Sequence, residues 1–159
     1  MAGVADRVPP NQISRGVLET EDLCTFNWNT REGWPMGTTV AFLWIDEKFW
    51  FSMDKSELRV KAIRRDPRVS IVLRAPAKSV TVRGRCELAD DLEVKRMVYR
   101  ATAEKVARLS NGALAADVYA QHLEEKGSVV LEVIPEKWIA YDGSDGTVST
   151  SPTTSGDQR

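Results

Sequence analysis

Along the chain, apolar and polar positions alternate with a period that changes from two to near 3.6, and this change sets out the elements. The segment MGTTVAFLWIDEKFWFSMD reads as two strands joined at Asp46-Glu47-Lys48, because β-branched and aromatic residues flank a short polar turn. In the first of these, Val40, Phe42 and Trp44 face one side and Ala41, Leu43 and Ile45 the other, so both faces are apolar. A sheet covered on both sides follows.

SELRVKAIRRD predicts a short helix, with Ser56 at its N-cap and Pro67 just beyond its end. RVSIVLR and SVTVRGRCELA predict further strands, separated by a Pro-containing link from Ala75 to Lys78. From Asp91 to Ser110 the spacing of Val94, Met97, Val98 and Ala101 is helical, and Asp90 with Glu93 forms a capping-box-like start. Asn111 and Gly112 break this helix, and a second runs to about Lys126 and stops at Gly127. SVVLEVIPEKWIAYD supplies a last strand or pair of strands, interrupted at Pro135. Strands outnumber helices, and the natural closure is a small antiparallel barrel with helices packed outside.

Residues 1–12 and 143–159 are small, polar and without apolar period, so a mobile N-terminal arm and a disordered C-terminal tail are expected around one domain at 13–142. A chain of 159 residues has room for one core and not for a second full domain. A net charge of −1 gives no chain-wide attraction to nucleic acid or to an anionic membrane. The longest apolar run, Val40 to Ile45, is far shorter than the ~20 residues of a membrane helix, and no signal-peptide pattern opens the chain, so the expected setting is cytoplasmic. Cys24 and Cys86, far apart, form neither a disulfide framework nor a zinc motif. His122 is the lone histidine, so neither a triad nor a metal cluster is expected.

The chemistry-bearing stretch is Ser52-Met53-Asp54-Lys55-Ser56-Glu57-Leu58-Arg59, a strand-to-helix junction. Helix N-termini carry partial positive charge and free N–H groups, so Lys55 and Arg59 there gain most if an anion such as a phosphate is bound. The alternative is a solvated charged surface in which Asp54 and Glu57 pair with these cations. Arg64 and Arg65, at the other end of the helix, read as surface charge. Trp28, Trp34, Trp44, Trp50 and Trp138, with Phe49 and Phe51, either wall a planar ring system or fill the core and an interface.

GWPMGTTVAFLW, FWFSMD, ELRVKAIRRDPRVSIVL and SVTVRGRCELADD, in that order over roughly residues 33–91, resemble the pyridoxamine 5'-phosphate oxidase-like split barrels, with a weaker echo in VVLEVIPEKW. The most specific pieces are Gly33-x-Pro35, RRDPRVS, and Arg83-Gly84 before an acidic turn. The resemblance implies a mostly β, α+β fold, a six-stranded antiparallel split barrel with flanking helices, and a homodimer with cofactor sites at the subunit interface.

It further implies a phosphate held by Arg59, where many relatives have Lys, with Lys55, Ser56 and Lys61 assisting. Thr38, Thr39, Val40, Ser52 and Met53 would line the cofactor chain, Ser79 would make a polar contact to the ring, and Trp138 or another aromatic, of this subunit or of its partner, would cap the pocket. Glu57 and Ala62 depart from the pattern, the two-helix insert Asp91 to Lys126 is long, and the basic C-terminal contacts of the vitamin B6 enzymes are not visible. The expectation is therefore an oxidoreductase that uses coenzyme F-420 or FMN to pass a hydride to a small organic acceptor. No catalytic acid or base is identified; solvent or Tyr141 is left to supply a proton. The competing expectations are a protein that binds or sequesters a flavin-type cofactor without turnover, and an empty barrel that serves as a dimeric interaction module.

Overall fold

The computed structural model describes residues 7–152. The elements run α1 (Gln12–Thr20), β1 (Leu23–Asn29), β2 (Pro35–Ala41), β3 (Leu43–Ile45), β4 (Lys48–Met53), α2 (Leu58–Arg65), β5 (Arg68–Ala75), β6 (Lys78–Leu88), α3 (Leu92–Leu109), α4 (Ala116–Glu125), β7 (Val129–Asp142) and β8 (Thr147–Ser151). All strand pairs are antiparallel. The fold is the expected α+β split barrel, with eight strands among the described residues in place of six.

The hairpin turn is tighter than expected: Asp46 and Glu47 alone link β3 to β4, both with positive φ (54° and 58°), the backbone twist that two-residue hairpins require. The stretch read as one strand from Met36 to Ile45 is divided at Phe42. Its first part, β2, pairs with β1, and its second, β3, pairs with β4. In the order β2-β1-β5-β6-β7-β4-β3 these two pieces stand at opposite ends. Consecutive residues cannot lie at the two ends of a flat sheet, so the sheet curls into a barrel with Phe42 at the seam.

Phe42, Phe49, Phe51, Phe26 and Trp138 meet inside, with Trp138 against Trp44 at 5.7 Å and against Phe49 at 5.8 Å. Each such ring removed from water contributes on the order of 2–3 kcal/mol. The opposite face of β3 and β4 carries Leu43 and Trp50, which pack with Val98 and Tyr99 of α3 and Leu123 of α4. Both faces of the hairpin are thus covered, as its unbroken apolar run predicts.

β7 changes partners along its length. Val129 to Val133 pair with β4, whereas Trp138 to Asp142 pair with β8. Between them the register with β6 slips at Arg83/Gly84, and Gly84 is needed there because a Cβ would lie 2.4 Å from the Ile134 carbonyl oxygen. Of the strand or pair of strands expected there, the structure has one, β7, whose pairing is interrupted at Pro135 by this bulge.

The N-terminal arm covers this gap. Val8 donates its N–H to the Pro135 carbonyl and accepts from the Trp138 indole N–H, while Arg7 pairs with Glu132. Arg7 and Val8 of the expected mobile arm are therefore held against β7, and Asn11 donates its side-chain amide to the Ser149 carbonyl of β8. The expected tail, 143–159, contains β8, whose Thr and Ser residues complete the pairing of β7; residues 1–6 and 153–159 lie outside the described residues.

Two helix starts are displaced from the sequence reading. Asp91, not Asp90, caps α3 by accepting from the Val94 N–H, and Glu57, not Ser56, stands at the N-cap of α2. Ser56 is drawn away because its N–H and hydroxyl both donate to Asp54 Oδ1, at 2.8 and 2.6 Å. α1 and β1 were not anticipated. Among the described residues no helix is long and apolar enough to cross a membrane.

Candidate functional site

α2 begins where β4 leaves the barrel, and its first turn lies beside β1 and β2. There Trp28, Thr38, Glu57, Leu58 and Arg59 line an open cleft of about 300 Å³. Thr38 stands in register with Phe26, so it continues an inward-facing row out to the barrel rim. Trp28 lies beside Phe26, with ring centroids 6.5 Å apart, so one indole edge is anchored in the core while the residue stays half-exposed. Leu58 is 78% exposed, an apolar side chain held at the cleft with little cover.

Arg59 extends from the first turn of α2 with its side chain only 14% exposed. It pairs through Nε with Glu57, yet that nitrogen is buried and lacks a hydrogen bond of good geometry. The other Glu57 oxygen, Oε1, accepts from the Asp54 N–H at 3.2 Å, and Glu57 makes no side-chain cap to the helix. A carboxylate thus already sits where a helix start and an arginine favour an anion. The donor set fits a phosphate: a largely buried guanidinium whose Nε is matched by Glu57 alone, the Thr38 hydroxyl and the uncapped first turn of α2. Glu57 would have to turn away for a phosphate to enter.

The structure brings Arg59 and Thr38 together and separates the other predicted residues from them. Lys55 and Ser56 are exposed on the turn before α2, and Lys61 is exposed on the helix; none lines the cleft. Thr39 faces the opposite side of β2 from Thr38, and Val40 packs against the barrel core. Ser52 pairs with Val130 and shares the helix-covered face with Trp50, because residues two apart on a strand point the same way. Met53 is 3% exposed in the core and cannot line a ligand. Trp138 is fully buried, with its indole N–H committed to Val8, so it does not cap a pocket. Ser79 lies at the far end of β6, between Arg74 and Tyr141.

A second cleft, of about 440 Å³, opens on the other side of Trp28 and includes Asn27, Ser70, Arg83, Gly84 and Glu136. Asn27 donates its side-chain amide to the Ser70 carbonyl at 3.2 Å. Gly37 leaves room for this amide, since a Cβ there would lie 2.4 Å from Asn27 Oδ1. Sequence reasoning missed this cleft because β1, which carries Asn27 and Trp28, was not recognised; the alternation of Cys24, Phe26 and Trp28 was the available signal.

The two cysteines are unreactive by position: burial raises the Cys24 thiol to about 12 and pushes Cys86 up as well. Away from the clefts, Asp22 takes a two-pronged contact from Arg108 of α3 at 2.6 and 2.9 Å, with Lys105 Nζ at 3.3 Å. The Arg108 hydrogen bonds, with Lys105 beside them, hold Asp22 near a pKa of about 2. Burial pushes the Lys105 ammonium below its ordinary value, and Asp22 partly offsets this. Lys105 also donates to the Phe42 carbonyl, so this cluster fastens α3 to the barrel seam.

The fold is that of an antiparallel split barrel, with a cleft between the start of α2 and the β1–β2 rim. The family model described as pyridoxamine 5'-phosphate oxidase matches residues 14–142, and the chain belongs to that family. No curated protein sequence matches the chain. Among solved structures, a conserved hypothetical protein from Mycobacterium tuberculosis is similar at a TM-score of 0.71 and 18% identity, covering 90% of this chain and 91% of that one. An F420 reductase is similar at a TM-score of 0.62 and 19% identity, covering 81% of this chain and 97% of that one. A heme binding protein from Mycobacterium smegmatis is similar at a TM-score of 0.67 and 18% identity, covering 90% of this chain and 58% of that one.

Proposed function

We propose that the protein is an oxidoreductase that holds a flavin-type cofactor, coenzyme F-420 or FMN, and delivers a hydride to a small organic acceptor. The observation that carries this reading is the largely buried Arg59, its Nε matched by Glu57 alone, in the cleft beside Trp28 and Thr38. The cofactor supplies the hydride chemistry when bound. Arg59 and Thr38 hold its phosphate, Glu57 swings out as the phosphate enters, and Trp28 offers an aromatic edge toward the ring system. An F420 reductase among the structural neighbours is in keeping with this.

A homodimer completes the site in this proposal. On the outer face of the sheet the register row Thr39, Thr25, Val72, Thr81, Ile139 and Thr150 is partly exposed, and neighbouring Tyr141 and Leu23 are each 47% exposed. β-Branched and aromatic residues without a covering helix fit a second copy of the same face, and sedimentation should give a dimer. A monomer that still binds cofactor at full affinity would remove the interface from the site.

The direct test is titration of cofactor-free protein with F-420 and with FMN, followed by turnover of quinone and enone acceptors. Saturable binding of one cofactor with turnover supports the enzyme; binding of neither overturns the reading. The Glu57–Arg59 pair favours a second reading, a binding or sequestering protein without turnover, because an internal carboxylate already neutralises the arginine. Tight cofactor retention with no acceptor reduced would select it.

A further inference from the structure

We infer that the second cleft is the acceptor subsite and that it selects acceptors carrying a carboxylate, with Arg83 as the residue that binds it. This rests on the proposed cofactor site, because the two clefts share Trp28.

The other arginines that line or flank the region are already engaged: Arg65 donates to the Asn29 carbonyl at 2.9 Å. Arg68 makes a two-pronged contact to Asp66 at 2.8 and 2.9 Å, and Arg85 pairs with Glu136 at 2.6 Å. Arg83 makes no side-chain hydrogen bond or ion pair among the described residues. Arg83 stands opposite Lys137, just before the register slip in which Glu136 of β7 is the extra residue of the bulge. Asn27, Ser70 and Arg83 stand in one register row across β1, β5 and β6, so an amide, a hydroxyl and a guanidinium line up on the same face.

A guanidinium offers two parallel N–H donors that match the two oxygens of a carboxylate, and the Ser70 hydroxyl adds a third donor on one side. Trp28, at the wall common to both clefts, gives an apolar surface for the body of an acceptor whose other end faces the cofactor cleft. A volume of about 440 Å³ suits a small ring or short chain and falls within the usual range for small-molecule sites.

The experiment is a ligand-observed NMR titration with benzoate and, separately, benzamide, which keep the same ring and differ in the anionic group. It is run on the wild type and on Arg83→Gln, alongside cofactor titrations of both proteins. The expected result is saturable benzoate binding by the wild type, weaker binding of benzamide, and loss of benzoate affinity by about tenfold in Arg83→Gln. Cofactor affinity should stay within about twofold. Equal binding of benzoate and benzamide, no benzoate binding, or benzoate affinity unchanged in Arg83→Gln overturns the subsite. An equal fall in cofactor affinity also overturns it, by assigning Arg83 to an anionic group of the cofactor. Arg83-dependent benzoate binding in a protein that takes neither cofactor keeps the carboxylate site and rejects the cofactor reading instead.

Discussion

Two of the carboxylate–cation groups on this barrel differ sharply in what surrounds them. Asp22 is gripped by Arg108 and Lys105 at the seam between α3 and the barrel, with short contacts on both carboxylate oxygens. Glu57 meets Arg59 beside an open cleft and leaves the guanidinium nitrogen it touches poorly hydrogen-bonded. The first group joins two elements that must stay together. The second joins residues two apart in sequence and reaches no further than the Asp54 N–H of the same turn. A charge pair whose geometry is saturated is a fastening, whereas one that is unsaturated and next to empty volume is exchangeable for a ligand.

The contrast is broken most strongly at Arg59. Arg59→Ala should weaken cofactor binding by about 2–3 kcal/mol, the scale of losing a charge-assisted contact. Its thermal midpoint should hardly move, and unchanged cofactor affinity in the titration would sink the phosphate assignment.

At the other group the expected cost falls on folding. Asp22→Asn should destabilise the protein by about 2 kcal/mol in urea unfolding, since it leaves Lys105, half-buried at the seam, without its counter-charge. Cofactor affinity should be unaffected. A variant as stable as the wild type would show that Asp22 is not a fastening.

The same group sets an acid limit. Because folding lowers the pKa of Asp22, its contribution is present above the ordinary carboxylate pKa of about 4 and is lost as pH falls toward about 2. With solvent screening the loss is about 1–2 kcal/mol. Asp22→Asn should flatten this part of the stability-against-pH curve; an identical acid limb in both proteins would contradict the linkage.

The smallest effect is expected at Glu57. Glu57→Gln removes the competing charge while keeping shape, so cofactor binding should tighten by a few-fold, about 1 kcal/mol or less. Weaker binding would mean that the carboxylate takes part in holding the ligand.

The elements with strong period were legible in the sequence. The β3–β4 hairpin, α2, β5, β6, α3 and α4 all follow from alternation, caps and breakers, and the resemblance over residues 33–91 gave the fold. Those that depend on tertiary completion were not. α1 shows too few apolar turns to stand out, β1 mixes Cys, Thr and Asn among its aromatics, and β8 is polar because it pairs with β7 through backbone alone.

That Arg59 and Thr38 come to one cleft was legible, because position on a helix start and on a strand rim follows from local pattern. Met53, Ser52 and Trp138 were misplaced for the opposite reason. Which face of a strand meets a cleft is decided by partners distant in sequence, and here Val130 and Val8 decide it for Ser52 and Trp138.

The seam at Phe42 has a kinetic side. Since β2 and β3 are neighbours in the chain yet close the barrel from opposite ends, closure must wait for β4 to find β7, where Phe49 meets Val133 across more than half the sequence. Such distant pairing carries a high loop-closure entropy and slows folding, so the nascent chain completes its first hairpins early and its barrel last.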